Sequence, residues 1–380
     1  MTKKTILIKA NTMILPRFFG ENYISGVGRA TNELVYALLQ EDTEFNIALY
    51  ASGINSFWIK DLDVLCPKHK FLLPQKIGIQ LTKIEPFYVH NFIKKDLIHI
   101  PHNYDVVSRK DKMVATIHDT CLYDLSKERN DKNMMSLWER TAQQSVGIVT
   151  CSENTKNDII DRFGVSENKI EVIPWGISHN LFHKTRHSKN IEVIKKLGIT
   201  MPYFLSVSCT KERKNIRNLL AAFRIFSQIN KEVQIVLLWD NPQKNILEEN
   251  KALISQKRII FLNYVSDAEL TVLYNEALAT LFPSRYEGFG FPILESFACG
   301  TPVMTCRNSS LSEIGQDFAI YTKEDDIQEM ANIMLEMSKG TYKTEQLTNA
   351  YIQYAQTFTW QNTACLLYTS PSPRDPKTSR

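Results

Sequence analysis

The sequence lacks the long apolar run that would carry a chain across a membrane. Its first apolar stretch, TILI at residues 5–8, is interrupted by Lys9, and no run approaches the ~18 apolar residues of a membrane span. The same stretch is too short for the hydrophobic region of a signal peptide, so we interpret it as a buried first strand. These absences lead us to expect a cytoplasmic protein.

Disulfide, metal and nucleic-acid signatures are also missing. The seven cysteines contain no CxxC pair and no even framework, which favours a reducing compartment and buried free thiols. No cluster of His, Cys, Asp and Glu has metal-ligand spacing, so we expect neither a metal nor a cofactor. The net charge of +4 comes without a basic stripe interleaved with aromatic residues, and we therefore expect no nucleic-acid partner.

What the sequence does contain is a repeated alternation of strand-like and helix-like segments. Its 380 residues, of which 43% are hydrophobic, suffice for two α/β domains. Short apolar runs such as FNIALYA, MVATIHD, YFLSVS and VQIVLLW alternate with helical patterns such as NIRNLLAAFRIFSQI, which predicts parallel sheets flanked by helices. We place an N-terminal domain at 1–180, a polar, aperiodic linker at 181–200 and a C-terminal domain at 201–350.

The final stretch, CLLYTSPSPRDPKTSR, breaks sharply from what precedes it. One interpretation is an ordinary disordered Pro/Ser tail. The other is that its codons resemble a transposase-based sequencing adapter read through as protein. We adopt the second, expect residues 365–380 not to be native, and exclude them from fold reasoning.

Two acids, Glu287 and Glu295, flank glycines and a helix-starting proline in EGFGFPILE. A helix that starts at this proline would leave unsatisfied backbone amides at its positive dipole end. The amides in question belong to Phe289, Gly290 and Phe291. They form a candidate phosphate seat, with the two acids as acceptors for sugar hydroxyls on either side. The alternative from these residues alone is a helix start whose acids complement its dipole.

A second motif, SCTKERKNI, lies between the predicted strand YFLSVS and a helix. It places Arg213 and Lys214 at the carboxyl end of that strand, where open parallel sheets bind ligands. Arginine offers a planar fork for phosphate and lysine a point charge. Alone, such a pair is more often a solvated surface feature, but beside the phosphate seat it becomes a candidate diphosphate site.

The first half of the chain holds two further motifs. SGVGRATNEL places Gly26 and Gly28 before a helix; it only superficially suggests a dinucleotide fingerprint, and we interpret it as a turn that lets a ligand approach the backbone. VATIHD ends a predicted strand at His118 and Asp119, which we expect to contact ligand. A metal-dependent phosphohydrolase would need further His and Asp partners, which are not evident.

Together these motifs resemble the retaining glycosyltransferases of family 4 (group 1, mannosyltransferase-like). The signature is the acid–seven–acid spacing from Glu287 to Glu295, supported in order by GVGRATNEL, TIHD, VTCSENTKNDI, KIEVIPWGI, ERKNI, YVSDAELTVLYNEA and SSLSEIG. The resemblance implies the GT-B architecture, with two facing Rossmann-like domains and an interdomain cleft. It makes the first domain acceptor-binding and the second nucleotide-sugar-binding, with residues 351–364 starting a truncated helix that crosses back.

The resemblance also implies a role for each site residue. Arg213 and Lys214 neutralise the diphosphate. The remaining implied contacts are Glu295 with the ribose, Glu287 with the donor sugar's hydroxyls, Phe289 and Gly290 through their amides, His118 with the transferred sugar, Gly28 along the donor side and Glu313 of SSLSEIG near the nucleotide. The sequence departs from the family where Ser208 and Asn263 replace a common glycine and Ala30 replaces an aromatic residue.

The implied reaction is metal-independent hexose transfer from a nucleoside-diphosphate sugar, with retention at the anomeric carbon. We expect GDP-mannose as donor, with UDP-sugars next. The acceptor would be a glycan or lipid-linked saccharide of bacterial surface polysaccharide. The segment KIEPFYVHNFIKK, at 83–95, could touch the inner membrane or be an ordinary amphipathic helix.

Three other functions remain open at this stage. A glycosidase would use Glu287 and Glu295 as acid and nucleophile, but would leave the glycines and the cationic pair without a role. A nucleotide-sugar epimerase on the same architecture would isomerise the donor without an acceptor. A non-catalytic nucleotide-sugar-binding protein would retain affinity without turnover.

Overall fold

The structure is a computed structural model, and the residues it describes are 3–14, 26–40, 45–52, 54–71, 93–105, 110–185, 187–207, 209 and 211–369. These residues fall into two compact units. Unit one holds the described residues up to Gly176 together with those from Trp360 onward, and unit two is Ile177–Thr359. The predicted fold class, two α/β domains with parallel sheets flanked by helices, is confirmed.

Unit one is built on a sheet of seven parallel strands in the order β3-β2-β1-β4-β5-β6-β7. The strands are β1 (Lys4–Lys9), β2 (Phe45–Ser52), β3 (Lys68–Phe71), β4 (Leu97–Ile100), β5 (Met113–Thr116), β6 (Gly147–Thr150) and β7 (Ile170–Val172). Its helices are α1 (Gly26–Gln40), α2 (Cys121–Glu128), α3 (Lys132–Gln144) and α4 (Glu153–Phe163). The central strands read as continuous apolar runs because helices bury both faces of a parallel sheet.

Helix α4 shows how local sequence fixes these elements. The Ser152 side chain caps its N-terminus by accepting a hydrogen bond from the amide of Thr155 at 3.2 Å. Gly164 ends the helix in the left-handed conformation, with φ of 61°. Between these caps, Ile159 and Phe163 are buried against the core of unit one.

Unit two has a sheet of six parallel strands in the order β10-β9-β8-β11-β12-β13. The strands are β8 (Tyr203–Ser206), β9 (Gln234–Leu238), β10 (Ile259–Leu262), β11 (Ala279–Phe282), β12 (Val303–Cys306) and β13 (Ile320–Thr322). The helices are α5 (His187–Lys196), α6 (Ile216–Ile229), α7 (Lys244–Glu249), α8 (Lys251–Ser255), α9 (Asp267–Glu276), α10 (Phe291–Ala298), α11 (Leu311–Gly315), α12 (Ile327–Ser338) and α13 (Glu345–Gln356).

The segment predicted as an aperiodic linker over 181–200 differs in the structure. Residues His187–Lys196 form helix α5, which packs against α9 within unit two. The buried Asn190 side chain donates to Glu276 Oε1 at 2.6 Å. This segment is therefore part of the second unit, which begins at Ile177 rather than near residue 201.

The last described helix, α14 (Trp360–Thr369), belongs to unit one. It packs on α1, and the Thr363 hydroxyl donates to the carbonyl of Pro174 at 2.8 Å. Residues 365–369 complete this helix, and residues 370–380 of the predicted adapter tail lie outside the described residues. Most of the segment 83–95, the candidate membrane contact, also lies outside them. None of the described helices combines the length and apolarity required to span a membrane.

Candidate functional site

The site in unit two is positioned by two neighbouring strands, β8 and β11. These strands pair directly, and the strand order reverses between them, which is where doubly wound sheets bind ligands. The loop after β8 carries Arg213 and Lys214, and the loop after β11 carries EGFG. The amide of Arg285 donates to the carbonyl of Arg213 at 2.8 Å and joins the two loops. The two motifs singled out in the sequence are therefore brought together.

The centre of this site is a buried ion-pair cluster on Glu287. The Lys214 ammonium lies 2.6 Å from Glu287 Oε1, and the Arg213 guanidinium lies 2.9 Å from Oε2. Lys214 and Glu287 are each only 8% exposed. The Ser284 hydroxyl donates to Oε1 at 2.7 Å, so the carboxylate has three partners. Sequence reasoning named all three charged residues but did not foresee that they bond to one another.

The charges of this cluster are set by burial and by mutual attraction. Burial by itself would raise the pKa of Glu287, but the charges of Lys214 and Arg213 outweigh it and hold the pKa below its ordinary value. Burial lowers the pKa of Lys214, while the Glu287 carboxylate acts in the opposite direction. Glu287 is consequently ionised at neutral pH, which makes it a hydrogen-bond acceptor and a poor proton donor.

Next to this cluster, the loop enters helix α10. Gly290 stands at the N-cap with φ of 113°, a conformation that favours glycine, and a Cβ there would lie 3.2 Å from Leu311 Cδ2. A proline occupies the first turn of α10, as predicted. Among the described residues, no hydrogen-bond acceptor engages the amides of Phe289 and Gly290. Two donors are thus available at the positive end of the helix dipole.

The loop conformation depends on Ser310, a residue that sequence reasoning missed. Its buried hydroxyl lies 2.9 Å from the carbonyl of Glu287 and 2.8 Å from that of Phe289. Both carbonyls are held by this one side chain, which sets the path of the backbone between them. Ser310 immediately precedes α11 in SSLSEIG, so the motif was visible but not its function as a support.

Glu295 lies one turn inside α10 and is oriented by a second missed residue. The hydroxyl of the fully buried Tyr274, on α9, donates to Glu295 Oε2 at 2.7 Å. The carboxylate is partly exposed and keeps acceptor capacity for a ligand. Phe291 packs its ring 5.1 Å from that of Phe289, and Glu313 lies partly exposed on α11.

The predicted site residues of the first half all lie in unit one. Gly28 is buried in the first turn of α1. His118 follows β5; its backbone amide donates to Asn103 Oδ1 at 2.7 Å, and its Nε2 lies 3.1 Å from the carbonyl of Pro101. Asp119 Oδ1 accepts from the amide of Cys121 at 3.0 Å and so shapes the turn into α2.

The imidazole of His118 is held neutral. Burial lowers its pKa to about 4, against the opposing effect of the hydrogen bond to Pro101. A carbonyl accepts hydrogen bonds, so Nε2 carries the proton and Nδ1 keeps its lone pair. The ring lies 5.5 Å from Trp175 and lines a cavity of about 10 Å³ with Thr31 and Trp360, all within unit one.

Comparison with known families matches both halves of the chain. The model described as "Glycosyltransferase Family 4" matches residues 24–181, and the model described as "Glycosyl transferases group 1" matches residues 189–358. The two matches fall on the two units and together contain every predicted site residue.

Relatives of this chain include proteins named as mannosyltransferases. O-antigen chain mannosyltransferase B of Escherichia coli is 26% identical over 278 residues, which is 70% of this chain and 72% of that protein. Serotype-specific mannosyltransferase WbdA of Escherichia coli is 23% identical over 91% of this chain, but the chain spans only 46% of WbdA.

Solved structures share the fold. Anabaena HepE, in complex with UDP and glucose, superposes with a TM-score of 0.72 at 19% identity, covering 96% of this chain and 98% of that one. The sucrose-phosphate synthase of Thermosynechococcus elongatus gives a TM-score of 0.71 at 18% identity, covering 96% and 97%.

Proposed function

The chain belongs to the family 4 glycosyltransferases, and on that premise we propose that it transfers a hexose from a nucleoside-diphosphate sugar to a saccharide acceptor with retention. The observation that carries this proposal is the Arg213–Lys214–Glu287 cluster beside the N-terminus of α10. It combines fixed cations, available amides and an ionised acceptor at the carboxyl ends of two adjacent strands.

The cationic pair and the amides act on the diphosphate. Arg213 and Lys214 are anchored by Glu287, so their side chains are already ordered before a ligand arrives. A dry, preorganised set of donors stabilises charge that develops on a leaving group without reorganising at the moment of reaction. This arrangement favours departure of the diphosphate and requires no metal ion.

The two carboxylates act on sugars. Glu295, fixed by Tyr274, is proposed to accept hydrogen bonds from the ribose, and Glu287 from hydroxyls of the donor hexose. In the proposed step the bond from the anomeric carbon to the diphosphate breaks, and the acceptor oxygen bonds on the same face. The departing phosphate oxygen takes the acceptor's proton. His118, with its neutral imidazole, is proposed to contact the transferred sugar. Gly28 and Asp119, which also belong to unit one, are proposed to bind substrate.

The cluster also argues against glycoside hydrolysis. A glycosidase needs one protonated carboxylic acid near neutral pH, usually because its pKa is raised. The two cations Lys214 and Arg213 instead lower the pKa of Glu287. Glu287 is therefore unsuited to be the acid catalyst that the glycosidase alternative requires.

For the donor we favour GDP-mannose, with a UDP-sugar next. Support comes from relatives named as mannosyltransferases, among them O-antigen chain mannosyltransferase B, while HepE is a fold neighbour described with UDP-glucose. On the same grounds we favour a glycan or lipid-linked saccharide of surface polysaccharide as acceptor, with the protein in the cytoplasm and in peripheral contact with the inner membrane.

The test is transfer from GDP-mannose, UDP-glucose and ADP-glucose to octyl α-mannoside, in buffer with EDTA. We expect turnover with GDP-mannose in EDTA and an α-linked product by NMR coupling constants. A β-linked product would overturn the proposed retention, and loss of turnover in EDTA that added Mg²⁺ restores would overturn metal independence. Isomerised donor without acceptor would favour the epimerase.

A further inference from the structure

A second polar cavity, of about 280 Å³, lies in unit two at the opposite end of the sheet from the Glu287 cluster. It is formed near the amino ends of β9 and β10, between α6 and the pair α7 and α8. Its polar lining includes Arg224, Gln228, Lys231, Asn250, Gln256 and Arg258. Neither the family resemblance nor the proposed transfer reaction uses any of these residues.

Arg258 is the most informative of these side chains because it is buried without a counter-ion. It is 5% exposed, and its guanidinium donates through Nε and Nη2 to the carbonyls of Val233 and Asn230 at 2.7 to 2.9 Å. In the described part of the chain, Nη1 has no hydrogen-bond partner and no carboxylate lies within ion-pair distance. Burial lowers the pKa of Arg258, as expected for a cation that lacks an anionic neighbour.

Two more cations face the same cavity. Arg224 donates through Nη1 to Asn250 Oδ1 at 3.1 Å, and Lys231 donates to the carbonyl of Ser227 at 2.8 Å. Neither forms an ion pair with any residue that the structure describes. The carboxylate that lines the cavity, Glu249, is bonded to Arg217 at 2.7 Å. The cavity therefore carries three positive charges that its own acid does not neutralise.

We infer that this cavity binds a phosphate group, either as inorganic phosphate or as a sugar monophosphate. Phosphate matches the donor set, since guanidinium groups bond it bidentately, and amide donors from Gln228 and Gln256 can complete its coordination. An anion there offsets the cost of leaving the buried Arg258 without a counter-ion. At 280 Å³ the cavity has room for phosphate with an attached monosaccharide.

The experiment uses thermal unfolding in sodium phosphate against sodium chloride of equal ionic strength. All proteins carry Lys214→Met, so that phosphate bound at the Glu287 cluster contributes little. We expect phosphate to raise the Tm by about 2 °C or more, and Arg224→Gln with Lys231→Gln to abolish this rise. Lys339→Gln, which removes an exposed lysine paired with Glu336, is the matched control and should keep the full rise. Arg258 is left intact because its bonds to two carbonyls support the fold.

Parallel arms with glucose 6-phosphate and glucose identify the carrier of the phosphate group. A larger rise with glucose 6-phosphate than with inorganic phosphate, and none with glucose, assigns a sugar monophosphate; equal rises assign phosphate alone. Crystals soaked in phosphate should show density between Arg224 and Arg258. Absence of that density, no rise, or an equal rise in the Arg224→Gln/Lys231→Gln protein would overturn the inference.

Discussion

The ammonium of Lys214 lies 2.6 Å from the carboxylate of Glu287, although the two residues are 73 positions apart in the chain. Each is buried and has the other as its closest opposite charge. Such a pair is costly to break from one side, because the charge that remains is buried without compensation. The pair therefore couples the stability of unit two to the residues proposed to hold donor sugar and diphosphate.

Replacing Glu287 by Gln should separate binding from transfer. The variant loses the ionised acceptor for the sugar, so we expect transfer to fall by about 100-fold or more, as for other preorganised charged groups. Nucleoside-diphosphate affinity should stay within about three-fold, because the cations remain. Urea unfolding should show a loss of about 3 kcal/mol, since the buried Lys214 and the partly exposed Arg213 lose their counter-ion. Glu336→Gln, on the surface of α12, is the control and should transfer at the wild-type rate. If Glu287→Gln transferred as fast as this control, the assignment of Glu287 would be contradicted.

Tyr274→Phe should weaken nucleotide binding without changing the chemistry. The hydroxyl orients Glu295, so its loss frees the carboxylate and we expect a roughly five-fold rise in the Kd of the nucleoside diphosphate. Tyr203→Phe is the matched control, because that buried hydroxyl donates to the carbonyl of Leu273 at 2.8 Å and bonds to neither carboxylate. Calorimetric titration should show a change in the first variant alone. Equal affinities would show that Tyr274 acts on stability only.

Gly290→Ala should distort the entry into helix α10. Alanine at φ of 113° is strained, and its Cβ would press on Leu311, so we expect a loss of about 1–3 kcal/mol and weaker nucleotide binding. Gly26→Ala, at the start of α1, meets nothing within 4 Å and serves as the comparison for stability. Chemical denaturation of both variants measures the difference. Wild-type stability in Gly290→Ala would show that this backbone conformation is not required.

Acid should destabilise unit one before carboxylates protonate fully. Burial lowers the pKa of both His99 and His118 to about 4, so between pH 6.5 and 4 the unfolded chain binds protons that the folded chain does not. Stability must then fall as the pH falls, by up to about 1.4 kcal/mol per pH unit for each histidine. His102, which faces both, has its pKa lowered by burial too and adds to the same slope.

His99→Gln isolates part of this slope. The variant can keep a hydrogen bond to Thr116, now 2.8 Å from the imidazole, but cannot titrate. Urea unfolding at several pH values between 6.5 and 4 should give a shallower dependence than in the wild type. Parallel slopes for His99→Gln and wild type would contradict the argument.

The sequence predicted the fold because its strands are apolar on both faces. Runs such as YFLS and GIVT are fully buried in β8 and β6, and this is the pattern of a parallel sheet between helix layers. Helix α5 escaped prediction because most of its side chains are polar or charged. A tertiary contact stabilises this helix, because Asn190 bonds to Glu276, 86 positions away. A local sequence pattern does not predict such a contact.

The candidate site was predictable in its residue types but not in its bonding. Glycine and proline at a helix start, and Arg213 with Lys214 at a strand end, are local signals. Glu287 bonds to both cations because β8 lies beside β11. The spacing of residues along the sequence does not show which distant strands pair. Tyr274 and Ser310 were missed for the same reason, because each acts on a partner more than 20 positions away.

The most direct measurement is the affinity of nucleoside diphosphate relative to nucleoside monophosphate, in wild type and in Lys214→Met. The cationic pair and the amides of Phe289 and Gly290 should bind the second phosphate of GDP. We therefore expect GDP to bind at least about 10-fold tighter than GMP in the wild type. In Lys214→Met we expect this preference to shrink to about three-fold or less, while GMP affinity stays near its wild-type value. A preference for GDP that survives undiminished in Lys214→Met would contradict the central claim that this cluster holds the diphosphate.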